Sequence, residues 1–280
     1  MQLPSPLDEL HEAVSLVIHE SIRANRKKDT AKIQARLKKQ MARAFKAQGR
    51  DFKKRFATLK KDWSNIKEAV NPRGPEWGKL FDLSAQQTIS TFQGPIDQAV
   101  AAALAAGGRR VIAELSASIA FDLENPRAVA YMKDRGAEMV TKINETTRKD
   151  LSDLLSASIE NGDSYGDIAR GISEMFGDDF PDWRAEMIAR TETGNAYCQG
   201  SLEAARQMSD AGLEMEKSWL TAGDEKVEGI CEENEADGWI SVDDDFSSGD
   251  DAPLAHPNCR CDIEVRVKPD ELKAEAPEAA

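Results

Sequence analysis

The residues best suited to chemistry in this chain are cysteines and a histidine near its C-terminal end. Three of the four cysteines and one of the three histidines fall between residues 231 and 261 of 280. They are Cys231, His256, Cys259 and Cys261, in the spacing C-x24-H-x2-C-x-C. Thiolates and imidazole are typical zinc ligands, and four protein ligands close the site to water. The pattern therefore favours a structural zinc ion over a catalytic one.

The same cysteines also suit two roles that need no metal. On a predicted strand, Cys259 and Cys261 point to one side, and that side is also the apolar side of the strand. A buried free cysteine behaves as a small hydrophobic residue. A disulfide formed after the protein leaves the cell is the other alternative. The spacing is not that of a standard zinc finger, so zinc is a hypothesis here, and no other cofactor is expected.

The acidic segment 223–251 is a second place where a cation could bind. It contains 12 Asp or Glu residues and one Lys. Its order D-D-D-F-S-S-G-D-D lacks the closing Glu of an EF-hand loop, so it predicts a solvated, mobile loop. No Ser/His/Asp order, glycine-rich phosphate loop or H-E-x-x-H motif is present in the sequence. We therefore expect no enzyme.

Charge is distributed very unevenly along the chain. Residues 21–70 carry 17 Lys or Arg against 4 Asp or Glu, whereas residues 71–280 carry 20 against 42. This asymmetry predicts a basic arm joined to an acidic body. The arm could contact DNA phosphates or an acidic protein surface, and a solvated helix face is the simpler alternative. The candidate phosphate-binding residues are Arg23, Arg26, Lys27, Lys28, Arg36, Lys38, Lys39, Lys53, Lys54 and Arg55.

The elements that must position these residues are mostly helical. Apolar residues recur at helical spacing up to Gly212, and beyond it the period changes to two. We predict a mainly α protein with a small C-terminal antiparallel β region, an α+β class, preceded by a long basic N-terminal helical arm. The predicted segments are a basic helical arm over 1–75, a helical connector over 76–124, a domain over 125–267 and a disordered acidic tail over 268–280.

Local signals predict several element ends. The basic stretch Arg23–Lys28 predicts a break, and Gly107-Gly108 predicts a helix stop. A heptad seam runs from Phe52 to Val70. Asp237-Gly238 predicts a hairpin turn. In the last strand, Cys261, Ile263, Val265 and Val267 share the apolar face, which leaves Asp262, Glu264 and Arg266 on the polar face.

Two motifs carry a family resemblance. Arg190-Thr191-Glu192 lies within a predicted helix, and His256-Pro257-Asn258-Cys259-Arg260-Cys261 closes the predicted β region. With Asn125-Pro126, Lys217-x-Trp219 and Asp237-Gly238, their order over about residues 125–267 resembles the phage Mu F-like family of head morphogenesis proteins. Many relatives have C-x-x-C where this chain has Cys231-Glu232-Glu233-Asn234. His256 could stand in for the missing cysteine.

The resemblance implies a structural minor head protein of a tailed bacteriophage that acts in capsid assembly near the portal. Its partners would be portal or capsid proteins and, through the basic arm, packaged double-stranded DNA. It would be oligomeric or present in several copies in the virion, inside the capsid near the portal, and in the host cytoplasm during assembly. No apolar run is long enough to cross a membrane.

Two alternative functions stay open at this point. The first is an enzyme carried in the virion, such as a nuclease or an effector, although relatives with such activity carry an extra domain. The second is a DNA-free helical adaptor that uses the heptad seam to bind portal or scaffold.

Overall fold

The fold is mostly helical, with one small sheet. The computed structural model describes residues 6–58, 60, 75–177 and 179–269. The helices are α1 (Pro6–Ala57), α2 (Pro75–Glu114), α3 (Pro126–Glu160), α4 (Tyr165–Met175), α5 (Asp179–Asp210) and α6 (Gly229–Ala236). The strands are β1 (Met215–Leu220), β2 (Ile240–Ser241) and β3 (Asp262–Val267). The predicted α+β class is confirmed.

The sheet has the strand order β2-β1-β3, and both pairs are antiparallel. Trp219 on β1 lies opposite Ile263 on β3, and Lys217 lies opposite Val265. The change of period after Gly212 is confirmed, because α5 ends at Asp210 and Gly212 has a φ of +104°. Glycine adopts such positive φ values without the strain that a side chain would add.

Two predicted helix interruptions are wrong. Helix α1 runs without a break through Arg23–Lys28, because Arg, Lys and Ala are all strong helix formers. Helix α2 likewise continues through Gly107-Gly108 to Glu114. An added Cβ on Gly107 would lie 1.9 Å from the backbone oxygen of Tyr197 on α5. Gly107 is therefore present for a close helix contact rather than for a stop.

Contacts divide the chain into two compact units, each assembled from separate stretches. The first contains residues 1–34, 99–130 and 190–280, and the second contains residues 35–98 and 131–189. The units follow contacts rather than chain order, so the linear division into segments stays a prediction. Members of the heptad seam from Leu59 onward and residues 270–280 of the predicted tail lie outside the described residues.

Aromatic side chains dominate the core of the second unit. Phe52 and Phe56 pack with Phe81 and Ile172 in one buried cluster. Phe45 and Phe92 form an edge-to-face pair with ring centroids 5.1 Å apart. This unit therefore buries the aromatic residues of α1 whose helical spacing is visible in the sequence.

The acidic segment 223–251 is more ordered than its composition predicts. It contains α6, so Asp237-Gly238 follows a helix and is not a hairpin turn between two strands. The Ser247 hydroxyl donates a hydrogen bond to Asp237 Oδ1 at 2.5 Å, which lowers the pKa of that carboxyl group. Asn234 Nδ2 donates to Ser248 Oγ at 2.9 Å. These bonds connect the end of α6 to the run of acidic residues that follows it.

Candidate functional site

The closing motif and α6 bring sulfur and imidazole ligands together. Cys231 lies on α6, whereas His256 and Cys259 lie in the turn before β3. The Cys231 and Cys259 sulfur atoms are 3.7 Å apart, and one ligand atom from each of the three residues lies within 4.8 Å of the others. The thiol of Cys261 is hydrogen-bonded to that of Cys259. Cys231, His256 and Cys259 therefore form one group, which we call the Cys/His cluster, and Cys261 lies next to it through its contact with Cys259.

A tight turn positions His256 and Cys259. The backbone N–H of Cys259 donates to the His256 carbonyl at 3.2 Å. Asn258 has a φ of +62°, a left-handed conformation that asparagine tolerates better than most residues. The next residue after Cys259, Arg260, contacts both carboxylate oxygens of Asp224 and lowers the pKa of that group to about 2. The turn is thus held by a hydrogen bond within it and by the Arg260–Asp224 contact that follows it.

The sulfur atoms lie in an apolar environment. Cys231, Cys259 and Cys261 are all buried, and they pack with Trp219, Phe246 and Leu254 among others. Burial raises the pKa of the Cys231 thiol to about 12. The hydrogen bond from Cys261 instead lowers the pKa of Cys259 to about 5.

One nitrogen of the His256 ring lies near the thiols, and the ring also contacts groups outside the cluster. Its Nδ1 lies 3.1 Å from the Pro257 carbonyl oxygen and 3.1 Å from Glu228 Oε1. A histidine that binds a metal through one ring nitrogen usually donates the other N–H to a carboxylate or a carbonyl group. The Nδ1 contacts therefore leave Nε2 as the nitrogen available to a ligand.

A buried ionic group lies beside the cluster, and the sequence prediction missed it. Arg26 Nη1 donates to the Cys261 carbonyl oxygen and lies 4.0 Å from Asp262 Oδ2. Arg110 donates to Ser201 Oγ and to the Ile263 carbonyl, both at 3.2 Å. Asp262 is only 1% exposed, so its predicted place on a polar outer face is wrong. The alternation of β3 gave no signal of this, because the helices that cover Asp262 are distant from it in the sequence.

The predicted phosphate-binding residues fall into two groups. Arg26 is buried, Arg23 donates to the Thr221 carbonyl at 2.6 Å, Lys38 pairs with Glu186 at 2.8 Å, and Arg55 pairs with Asp51 at 2.6 Å. These four side chains are already engaged within the protein, so they are poorly available to phosphates. Lys53 is half-buried, and the exposed members of the predicted set are Lys27, Lys28, Arg36, Lys39 and Lys54.

Helical geometry selects a basic face within the second unit. At 100° per residue, five exposed residues of α1 fall within an arc of about 60° and extend over about 27 Å. They are Arg36, Lys39, Arg43, Arg50 and Lys54, which we call the basic face. Arg43 and Arg50 were missed by the sequence prediction, although their spacing could have shown them. In the part of the chain that the structure describes, none of the five has an ion-pair partner.

The Arg190-Thr191-Glu192 motif lies on α5 and is largely buried. Glu192 is fully buried, and Thr191 is 9% exposed. The Thr191 hydroxyl accepts a hydrogen bond from the backbone N–H of Asn258 at 3.1 Å. The motif therefore supports the turn that carries the Cys/His cluster.

Comparison with known proteins gives one result for this chain. Residues 149–264 match the family model described as Phage Mu protein F like protein. No curated protein and no solved structure matches the chain. Within the described residues, no helix is both long enough and apolar enough to span a membrane.

Proposed function

We propose that this protein is a minor head protein, from the premise that residues 149–264 belong to the phage Mu protein F like family. In this proposal it assembles with portal or capsid proteins and contacts packaged DNA. The matched residues contain both motifs on which the sequence resemblance rests. The family is one of head morphogenesis proteins, so the role in head morphogenesis is the best-supported part of the proposal. A structural role of this kind is consistent with the expectation of a non-enzymatic protein.

The basic face supports the DNA contact. Its five cations have no ion-pair partner among the described residues, and Arg36 donates only to the neutral Gln98 side chain, at 3.1 Å. Phosphates of double-stranded DNA attract such a row of cations and release counterions when they bind. Binding of this kind depends steeply on salt and only weakly on base sequence. A protein inside a filled capsid would meet DNA of every sequence, which suits this mode of contact.

The test of DNA binding uses the full chain and a duplex of mixed sequence. Fluorescence anisotropy measured over a range of salt concentrations should give a linear fall of log affinity with log salt. Changing Arg36, Arg43 and Arg50 together to Gln should weaken binding at least tenfold at low salt. The slope should also become shallower by about 0.9 for each phosphate contact that is lost.

A matched control is Lys149→Gln on α3, which removes an exposed lysine that is paired with Asp153 outside the basic face. It should leave affinity and slope close to those of the wild-type chain. If the triple variant binds like wild type, or if binding does not change with salt, the DNA contact is wrong. The role in head assembly would still stand in that case, because it is tested separately.

A protein partner is supported by apolar residues on the N-terminal part of α1. Val14, Leu16, Val17 and Ile18 are between 44% and 66% exposed. Val14, Val17 and Ile18 share one helix face at spacings of three and four residues. A large apolar patch of this kind on a protein surface commonly marks a docking site. We propose that this face docks on a portal or capsid protein.

Head assembly is tested with purified particles. The protein should be found inside heads by mass spectrometry and located near the portal in a reconstruction of the assembled particle. Val14→Ser with Val17→Ser should reduce its incorporation several-fold without unfolding the isolated protein. Ser21→Ala, an exposed change on the same helix, is the control. Complete absence of the protein from heads would contradict the proposed function.

A further inference from the structure

We propose that Cys231, His256 and Cys259 bind one Zn²⁺ ion and that Cys261 supplies the fourth ligand. The site would be structural, because four protein ligands leave no open position for substrate or water. It would connect α6 to the turn before β3. This proposal does not depend on the role in head assembly.

The distance between two sulfur atoms of the cluster matches what zinc requires. With zinc–sulfur bonds of about 2.3 Å and tetrahedral angles, two ligand sulfurs lie about 3.8 Å apart. The observed separation of Cys231 and Cys259 is 3.7 Å, far longer than the roughly 2.05 Å of a disulfide. A contact between two thiols has a similar length, so this distance must be considered together with the histidine.

His256 distinguishes a metal site from a group of buried apolar thiols. Three cysteines packed with Trp219 and Phe246 need no imidazole among them. Here one nitrogen of His256 joins the two sulfurs within 4.8 Å, while its Nδ1 is held by Glu228 and by the Pro257 carbonyl. A carboxylate behind a histidine fixes the ring orientation and increases the basicity of the ligating nitrogen.

The surrounding charges also suit a bound dication. Zinc with three thiolates and a neutral histidine carries one net negative charge, which is costly to bury without a partner. The Arg26 guanidinium is buried and donates to the Cys261 carbonyl, so a positive group already lies at the cluster. Arg26 also lies 4.0 Å from the Asp262 carboxylate, and Arg110 is a second buried cation nearby that donates to the Ile263 carbonyl. The cluster thus has a counter-charge for a zinc–thiolate centre.

The direct test is the metal content of the full chain, purified without chelators from a zinc-containing culture under reducing conditions. Elemental analysis should give about one zinc per chain. After replacement of zinc by Co²⁺, the protein should show thiolate-to-cobalt charge-transfer absorption and the strong visible bands of a tetrahedral site. Chelation should lower the melting temperature, and added zinc should restore it.

Variants identify the ligands and provide the control. Cys231→Ser, Cys259→Ser and Cys261→Ser should each weaken zinc binding at least tenfold in competition with a chromogenic chelator, with His256→Gln losing a similar amount. The matched control is Cys198→Ala, because Cys198 is also buried but belongs to a different core cluster. It should keep one zinc per chain. Circular dichroism of each variant separates lost zinc from lost folding, and His256→Gln is the least disruptive because its side chain is 18% exposed.

Three results would overturn the proposal. The first is wild-type protein that contains no zinc and gains no stability when zinc is added. The second is a zinc affinity of Cys231→Ser and Cys259→Ser that equals that of the wild type in the chelator competition. The third is a mass shift showing that a disulfide between Cys231 and Cys259 persists in protein freshly prepared under reducing conditions, because a disulfide would consume two of the ligands.

Discussion

The backbone N–H of Asn258 donates to the Thr191 hydroxyl at 3.1 Å, and this bond joins two motifs through residues that lie 67 positions apart in the chain. Thr191 belongs to the buried part of α5, and Asn258 lies in the left-handed turn between His256 and Cys259. The helix motif thus acts on the Cys/His cluster through the backbone of the turn. Both motifs therefore contribute to the turn from His256 to Cys259.

Removal of the Thr191 hydroxyl should destabilise the turn. Thr191→Val keeps the shape of the side chain and leaves the Asn258 N–H without its partner, so unfolding free energy should fall by about 1 kcal/mol. Urea unfolding followed by circular dichroism measures this loss. Thr146→Val on α3 is the control, because Thr146 is exposed and bonds only to its own helix, at the Lys142 carbonyl. An equal effect of both changes would show that the bond to Asn258 contributes nothing.

Gly107 should not tolerate a side chain. Its added Cβ would meet the Tyr197 backbone oxygen at 1.9 Å, and that of Gly200 would meet the Leu104 oxygen at 2.0 Å. Backbone atoms cannot rotate away, so Gly107→Ala and Gly200→Ala should each cost about 3 kcal/mol or more. Thermal unfolding measures the loss.

The matched control for these glycine variants is Gly171→Ala on α4. An added Cβ there meets Leu154 at ordinary contact distances of 3.5–3.8 Å. Alanine is a better helix former than glycine, so this change should raise stability by about 0.5–1 kcal/mol. Destabilisation by Gly171→Ala as large as that by Gly107→Ala would contradict the close helix contact.

Arg26 should matter for folding rather than for DNA binding. Arg26→Met leaves the buried Asp262 carboxylate without the guanidinium 4.0 Å away, and breaking such a buried pair costs about 3–5 kcal/mol. The exposed neighbour Lys27→Met should change stability by less than about 0.5 kcal/mol. Chemical unfolding measures the stability of both variants. If Arg26→Met is as stable as the wild type, Arg26 has no structural role and becomes a candidate DNA contact again.

Lys217 should give stability an alkaline pH dependence. Its side chain is fully buried on β1, where Nζ donates to the Asp251 carbonyl at 2.8 Å and lies 5.1 Å from the centre of the Phe246 ring. Burial, followed by the positive charge of Arg206, lowers its pKa from 10.5 to about 8, although Asp251, Asp245 and Asp244 oppose the shift.

The sign of this dependence follows from proton counts. Between pH 8 and about 10.5, the unfolded chain binds the Lys217 proton and the folded chain does not, so this residue makes stability rise with pH across that window. Below pH 8 its contribution is constant and unfavourable to the fold. Lys217→Met should remove the rise, whereas the exposed Lys226→Met should keep it. Parallel stability curves for wild type and Lys217→Met over this range would contradict the shifted pKa.

The sequence by itself determined the fold class and the existence of the local elements. The start of α3 at Asn125-Pro126, the end of α5 before Gly212 and the apolar alternation of β3 depend on residues that are close in the chain, so their periodicity and breakers are visible in the sequence. The motifs also indicated the resemblance to the phage Mu F-like family, because the order of residue types along a chain needs no coordinates.

Only the tertiary structure decided what the same residue types do when distant segments meet. In the sequence, Gly107 resembles a helix stop, but in the structure it packs closely against Tyr197. Arg26 resembles a phosphate ligand in the sequence, but in the structure it contacts Cys261 and Asp262. Cys231 and His256 are 25 residues apart in the sequence, and only folding brings their ligand atoms within 4.8 Å. Helix propensity and charge are properties of single residues, whereas burial, close approach and ligand geometry are properties of pairs.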